Sequence, residues 1–364
     1  MSIINNLPAV TPDVVKEMSK TLFEGFYQRP DINTYLNIVS GIKSDAQLIA
    51  FKRYAGLSGK IRSACDTTAN DSVTIETIEK TWSPKLIGDR FAECFQDFDA
   101  SFTAWMLKEG NEKPDTSGTE IGMFLTEQLQ DMLHEVILRL SFFGNTAIVA
   151  GTGNNIAAGE VAYFSALNGF FTQLFAIVAA DADRLTVNTT LQTRNAAATW
   201  ALQRFTNADT TNQIVTAALD HGWYGADMRL RAMNRNELVW LTTQSISDQY
   251  EQERKNVGSI DAAYFRTEDG IMKMYSNGIE VVPMSFWDRT IRTYFGDDAT
   301  PVTAVLPHRA ILVPRKNLMI GTESSGEIGG LDVWYSKDDA KVYADYNVKL
   351  DAKIGLDTLI QAVY

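Results

Sequence analysis

The stretch SGTEIGMFLTEQLQDMLHEVILRLSFFG, residues 117–144, carries the clearest local pattern in the chain. Ile121, Phe124, Leu125, Leu129, Met132, Leu133, Val136, Ile137 and Leu140 recur at three- and four-residue intervals, so one face of a helix is apolar throughout. Ser117 and Glu120 match a capping box, in which the serine hydroxyl and the glutamate satisfy backbone donors left open at a helix start. Gly144 is placed to close the helix as a left-handed C-cap. At 1.5 Å per residue, Thr119–Phe143 is expected to form a rod of roughly 37 Å.

Upstream, Asn111–Gly118 (NEKPDTSG) has the composition of a linker. Before it, the turn-rich run Ser63–Asp71 separates a mixed apolar stretch, Ile42–Ile61, from a strand-like one, Val73–Phe91. We read these as the arms of a long hairpin or loop, with Asp45–Tyr54 open to either helix or strand. Thr11-Pro12 looks like a helix start, and Pro30 ends that first segment.

Downstream of Gly144, Ala147–Ala150 reads as a short strand, Gly151–Gly159 as a glycine-rich turn and Val161–Val178 as an apolar helix. Leu238–Thr242 (LVWLT) reads as a buried strand leading into a polar helix over 247–256, with Ser245 and Asp248 as its capping box. Asn277-Gly278 predicts a type I′ hairpin within Ile271–Met284, and Ser285–Phe295 a short helix. Strands are expected at Ala310–Val313 and Leu318–Ile320. From Val342 to Lys353, apolar and polar residues alternate with period two, so one face is buried and one is wet. The expected class is therefore α+β.

With 364 residues, 45% hydrophobic and 21% charged, the chain can bury a sizeable core in two or three packed units. Its 33 Lys and Arg against 45 Asp and Glu leave a net charge of -12, the wrong sign for gripping nucleic acid through phosphates. Cys65 and Cys94 build no disulfide framework and have no zinc-site spacing. Ser2–Val10 lacks the pattern of a secretory signal, and Gly169–Ala180 is too short and too interrupted to span a bilayer, so a soluble protein is expected.

Catalytic vocabulary is sparse. His134-Glu135 opens like a zinc-protease motif, but Leu138 stands where the second histidine belongs. Gly151-Thr152-Gly153 sits where a dinucleotide fold would place its phosphate turn, yet Ile156 replaces the third glycine, and a plain turn is the simpler reading. The paired carboxylates Asp181 and Asp183, Asp297 and Asp298, and Asp338 and Asp339 have no partner base, so solvated surface accounts for them. We expect no enzyme activity, no cofactor and no metal.

The run Ile78-Glu79-Lys80-Thr81-Trp82-Ser83-Pro84-Lys85-Leu86-Ile87-Gly88-Asp89-Arg90-Phe91, followed by Cys94, Phe102, Trp105, Leu107-Lys108 and Gly110, resembles major capsid proteins of tailed bacteriophages, particularly phages of Bacteroidetes hosts. So do Gly118-Thr119-Glu120 opening the long helix, Phe142-Phe143-Gly144-Asn145-Thr146 closing it, Tyr163-Phe164, Gly169-Phe170-Phe171, Leu238–Asn256, Pro307-His308-Arg309-Ala310, Asn317-Leu318-Met319-Ile320-Gly321 and the alternating C-terminal strand. The set runs in order through most of residues 41–364. Asn145 stands where the family commonly has aspartate.

The resemblance implies the Hong Kong 97 fold: an N-terminal arm (1–40), an extended loop (41–96), a peripheral domain (97–146) containing a spine helix (119–143), an axial domain with part of the peripheral sheet (147–335), and closing strands (336–364). It implies a subunit that assembles with itself into pentamers and hexamers of an icosahedral virion shell. Such a shell would be made in the host cytoplasm, would enclose double-stranded DNA without binding it specifically and touch no membrane, with scaffolding, portal and decoration proteins as possible partners. An encapsulin-type compartment is the alternative, and a nucleotide-dependent enzyme a more distant one. If Ala46–Arg62 and Ser72–Phe91 are hairpin arms, they reach roughly 55 to 65 Å, whereas a compact body of ~270 residues has a radius of gyration near 18 Å. Such a limb must lie on a neighbour or extend into water. Trp82, Lys85, Phe91, Phe95 and Phe98 are the expected contact residues, the aromatics by residue type.

Overall fold

The computed structural model describes residues 34–43, 47–55, 74–94, 132–197, 199–257, 264–266, 272–296, 304–323, 330–336 and 341–364. The helix start at 11–12, the capping box at 117 and 120, the first half of the long helix, Phe95, Phe98 and the carboxylate pairs at 297–298 and 338–339 lie outside them.

Four strands come first: β1 (Asn37–Ser40), β2 (Gln47–Ala55), β3 (Thr74–Thr81) and β4 (Lys85–Cys94). The described part of the long helix, α1, covers 132–143. Helix α2 (Phe170–Ala180) and strand β5 (Leu185–Thr186) follow. Short helices α3 (Thr189–Asn195), α4 (Trp200–Gln203) and α5 (Asn207–Thr211) lead into α6 (Ile214–Gly225) and α7 (Met228–Arg231). Then come β6 (Leu238–Thr242), α8 (Gln244–Val257), β7 (Tyr264–Arg266), β8 (Met272–Ser276), β9 (Ile279–Pro283) and α9 (Ser285–Tyr294). The chain closes with β10 (Ala310–Pro314), β11 (Leu318–Thr322), β12 (Gly330–Ser336), β13 (Lys341–Ile354) and β14 (Gln361–Val363).

Seven strands form one sheet in the order β5-β14-β10-β6-β9-β8-β7. Every residue of β6 and β10 is buried, which explains why both read as unbroken apolar runs rather than alternations. Their side chains divide between two cores. Val239, Leu241, Ile311 and Val313 face a cluster shared with α1, α2 and α9, and Leu238, Trp240, Ala310 and Leu312 face one shared with α6, α7 and α8. The β8–β9 turn has the predicted I′ geometry, with Asn277 at φ 54° and Gly278 at φ 76°.

The second sheet is built on β13. Leu350 pairs with Lys85 of β4 and also with Thr322 of β11, so those two strands flank β13 on opposite sides. Strand β12 continues along the β11 side, and β1 runs parallel to β11. Tyr346, Val348, Leu350 and Ala352 of the predicted apolar phase enter the core that also holds α1, and Ile354 just beyond it joins them. That shared core joins the two sheets. Its centre is aromatic: Phe142 packs at 5.1 Å against both Phe170 and Trp287 and at 5.5 Å against Phe286.

Several expectations need correction. Val161–Val178 is not one helix, because Gly169 breaks it into a 3-10 turn at Val161–Tyr163 and α2. Gly144 ends α1 without a left-handed φ; a Cβ there would lie 2.5 Å from the Leu167 carbonyl oxygen, so its smallness admits the returning chain. Ala147–Ala150 is turn and coil, and the Gly151 loop is folded around Asn154, whose side chain bonds Gly151 N, Ile156 N and the Val149 and Thr152 carbonyls. Helix α8 starts at Gln244 with the Asp288 carboxylate accepting from Gln244 N at 2.6 Å, so Ser245 and Asp248 form no capping box. Ser245 instead donates to His308. Asp45–Tyr54 is strand where described, and Val73–Phe91 is two strands broken at Trp82-Ser83-Pro84.

Candidate assembly surface

Strands β2 and β3 form a two-stranded antiparallel sheet of their own, from Gln47↔Thr81 to Ala55↔Thr74, with a bulge between Phe51 and Arg53. Among the described residues no strand of the body pairs with it. Its second strand does not run straight on. At Trp82-Ser83-Pro84 the chain crosses the corner where β11 meets β13, then becomes β4 and pairs with β13 over ten residues.

Contacts from four directions fix that crossing. Trp82 is 3% exposed and packs with Ile42 and Met319 in a small cluster separate from the two main cores. Gly321 makes the slot: a Cβ there would fall 2.5 Å from Ile42 Cδ1 and 2.6 Å from Trp82 Cζ3. Ser83 N donates to Asp351 Oδ2 at 2.8 Å, which explains a buried carboxylate in the polar phase of β13. Lys80 Nζ donates to Asp357 Oδ1 at 2.5 Å and to the Ile354 carbonyl at 2.6 Å. On the incoming side, Ile42 N donates to Thr322 O at 3.1 Å, just after Gly41 turns at φ 75°.

Strand β4 pairs on one side only among the described residues, and most of 85–90 is exposed. Arg90 pairs with Asp345 directly across the ladder at 2.7 Å, and Lys349 pairs with Glu323. Leu86 stands 63% exposed and Tyr163 49%. Between them a groove of about 450 Å³ opens against α1, lined by Met132, Val136, Phe164 and Tyr346 among others. Burial raises the Tyr346 phenol to about 12, so it stays a neutral donor.

Of the five residues expected to touch a neighbour, Trp82 is occupied within its own chain, Lys85 is exposed at the start of β4, and Phe91 stands on β4 opposite Ala344. Phe95 and Phe98 lie outside the described residues. Type-based reasoning missed Leu86, Gly321 and Asp357. Leu86 follows directly after Lys85 in a strand-like stretch; Gly321 and Asp357 leave no local signal, since their roles arise only across the fold.

Among the described residues no cluster of His, Cys, Asp and Glu could hold a metal ion, and no helix is long and apolar enough to cross a membrane. Ser245 Oγ and His308 Nδ1 lie 2.7 Å apart. His308 Nε2 meets the Gln203 carbonyl at 2.7 Å, which fixes the proton there and leaves Nδ1 as acceptor. The ring is 1% exposed and burial lowers its pKa to about 4, so this pair reads as an internal strut.

No family model and no curated protein matches the chain. Solved structures do. A chain of the satellite phage P4 procapsid that includes the size determination (Sid) protein superposes with a TM-score of 0.54 at 10% identity, over 94% of this chain and 98% of that one. The capsid of a native GTA particle (TM-score 0.45, 11% identity, 91% and 88% covered) and the holo-SrpI encapsulin complex of Synechococcus elongatus (0.41, 11%, 100% and 90%) are weaker matches that add nothing to the assignment. The α+β fold of this chain is thus a phage capsid fold. The likeness to phages of Bacteroidetes hosts rests on sequence alone.

Proposed function

We propose that the protein is a major capsid protein, the repeating subunit of an icosahedral phage shell built of pentamers and hexamers around double-stranded DNA. One observation carries this reading: the near end-to-end match to a procapsid chain, 94% of one and 98% of the other. The hairpin and the outer edge of β4, neither of which has a further strand partner among the described residues, support it, because both leave backbone groups for a second copy to pair. Heterologous contacts of this kind close into rings around symmetry axes.

In this reading residues 1–40 are the arm, 41–96 the extended loop, 97–146 the peripheral domain with its spine helix, 147–335 the axial domain, and 336–364 the closing strands. The role is structural and not catalytic. A net charge of -12 suits a wall that holds DNA without gripping it. Scaffolding, portal and decoration proteins are the further partners such a shell would take. Lys85, Phe91, Phe95 and Phe98 remain the proposed contacts, joined by Leu86.

Expression of the chain followed by velocity sedimentation and negative-stain microscopy tests the proposal. Large hollow particles of uniform size are expected. A monomer that stays monomeric across a wide concentration range, with or without crowding agents, overturns it. Nucleic acid inside particles taken from infected cells separates a phage shell from an encapsulin.

A further inference from the structure

The crossing at Trp82-Ser83-Pro84 is the only described route, besides Gly41–Lys43, by which the β2–β3 hairpin is joined to the body. Its contacts are of two kinds. The apolar kind is closed and rigid: Trp82, Ile42 and Met319 are all under 8% exposed, and Gly321 leaves no spare volume between them. The polar kind is mixed: Ser83 N to the buried Asp351 carboxylate is closed and belongs with the fixed side, whereas the Lys80–Asp357 pair is open. Lys80 and Asp357 keep 21% and 41% of their side-chain surface in water, and they tie the end of β3 to the segment after β13. A buried pivot beside a half-solvated ion pair is a joint with one fixed point and one adjustable point.

We infer that this root is a direction-setting joint, in which Trp82 seated on Gly321 is the pivot and the Lys80–Asp357 pair selects the angle at which the hairpin leaves the body. The inference rests on the shell reading for its consequence. A limb reaching a neighbour converts its exit angle into the tilt between subunits, and that tilt determines the curvature of the closed shell. An ion pair of this exposure contributes about 0.5 to 1 kcal/mol, enough to weight one angle over another by roughly two- to fivefold. Lys80 and Asp357 are positioning residues here, not contact residues. Their effect differs from a packing effect because it depends on the charges, and its ion-pair part is exchangeable between the two positions, whereas the Lys80 bond to the Ile354 carbonyl is not.

The test uses the full chain, with Lys80→Ala, Asp357→Ala and the exchanged pair Lys80→Asp with Asp357→Lys. Particles of the two single variants are expected to show a broadened or shifted diameter distribution by cryo-electron microscopy, and the exchanged pair, which rebuilds the ion pair but not the Lys80 bond to the Ile354 carbonyl, to move it back toward wild type. Melting temperatures of the unassembled subunits should stay close to wild type. Identical diameters in all four proteins overturn the joint while leaving the shell reading intact.

Should the wild type form no shells, the shell reading fails, and the joint is judged on the subunit alone. Spin labels at Thr77→Cys on β3 and Gln252→Cys on α8, with Cys65 and Cys94 replaced by serine, report the hairpin-to-body distance. A main distance peak whose ratio to the remaining distances falls about two- to fivefold on Lys80→Ala and recovers toward wild type in the exchanged pair supports the joint. A distribution that is the same with and without the ion pair overturns it.

Discussion

The seven-stranded sheet and the β13 sheet with its hairpin are built to different ends. In the first, β6 and β10 are sealed on both faces, and the fully buried Glu253 of the adjoining α8 is satisfied internally, accepting from Val215 N, Thr216 N, the Thr216 hydroxyl and Gln249. In the second, β4 keeps one edge unpaired among the described residues, exposes Leu86, and leads back to a hairpin whose strands, among the described residues, pair only with each other. The contrast teaches that one half of this molecule is finished by folding, whereas the other half, on the proposed reading, is finished by assembly.

The sharpest way to break that contrast is to damage the finished half. Trp287 is fully buried and packs at 5.1 Å on Phe142 and 4.8 Å on Phe171, where the two sheets share their core. Trp287→Ala is expected to cost about 3–5 kcal/mol and to be read as a large drop in the urea midpoint. A loss under about 1 kcal/mol would show that this core is not what joins the sheets.

Glu253→Ala comes next. It strands the first N–H groups of α6 in a buried site, at an expected cost of about 1–3 kcal/mol, measured by the same denaturation. Glu253→Gln should recover part of the loss, since one carbonyl oxygen still accepts.

The pH dependence follows from His308. Its folded pKa, near 4, lies below the ordinary 6.5, so between those values the unfolded chain binds the proton and the folded chain does not. Stability therefore falls as pH drops from about 6.5 toward 4, by up to roughly 3 kcal/mol, and is fully present above 6.5. Denaturation at pH 7 and pH 4.5 should show the loss, and His308→Asn should flatten it. An unchanged slope in that variant assigns the acid sensitivity to the carboxylates.

The legibility of the sequence followed the same division. LVWLT at 238–242 and the Asn277-Gly278 hairpin were readable because local pattern and final environment agree: burial on both faces gives an unbroken apolar run, and a two-residue turn needs positive φ. The β13 alternation was readable except at Asp351, which occupies the wet phase yet is buried because Ser83 reaches it from the hairpin root. That exception marks where pattern stops. The break at Trp82-Ser83-Pro84 depends on partners far along the chain, 277 residues away for Lys80 and Asp357, and no window of sequence contains both. Residue type alone points Trp82 at a neighbour, since tryptophan anchors interfaces; the structure places it under its own chain because Gly321, with no side chain, opens a slot for it. The Gly169 break in an apolar run was likewise hidden, since glycine in a helix interior is tolerated often enough that only the crossing chain decides.

The smallest expected effect on folding is the most telling for the comparison. Leu86 has 63% of its surface in water, so Leu86→Asp removes little buried area and should leave subunit stability within about 0.5 kcal/mol of wild type. A charge on an open strand edge opposes pairing by a further strand, and at the rim of an apolar groove it must be desolvated whenever a neighbour covers it. The unfinished half should thus lose assembly while the finished half keeps its stability: the same melting curve, but a higher protein concentration needed before particles appear by light scattering. If Leu86→Asp instead lowers the melting temperature as strongly as a core substitution, Leu86 is already covered by its own chain, and β4 is not the edge that a second copy completes.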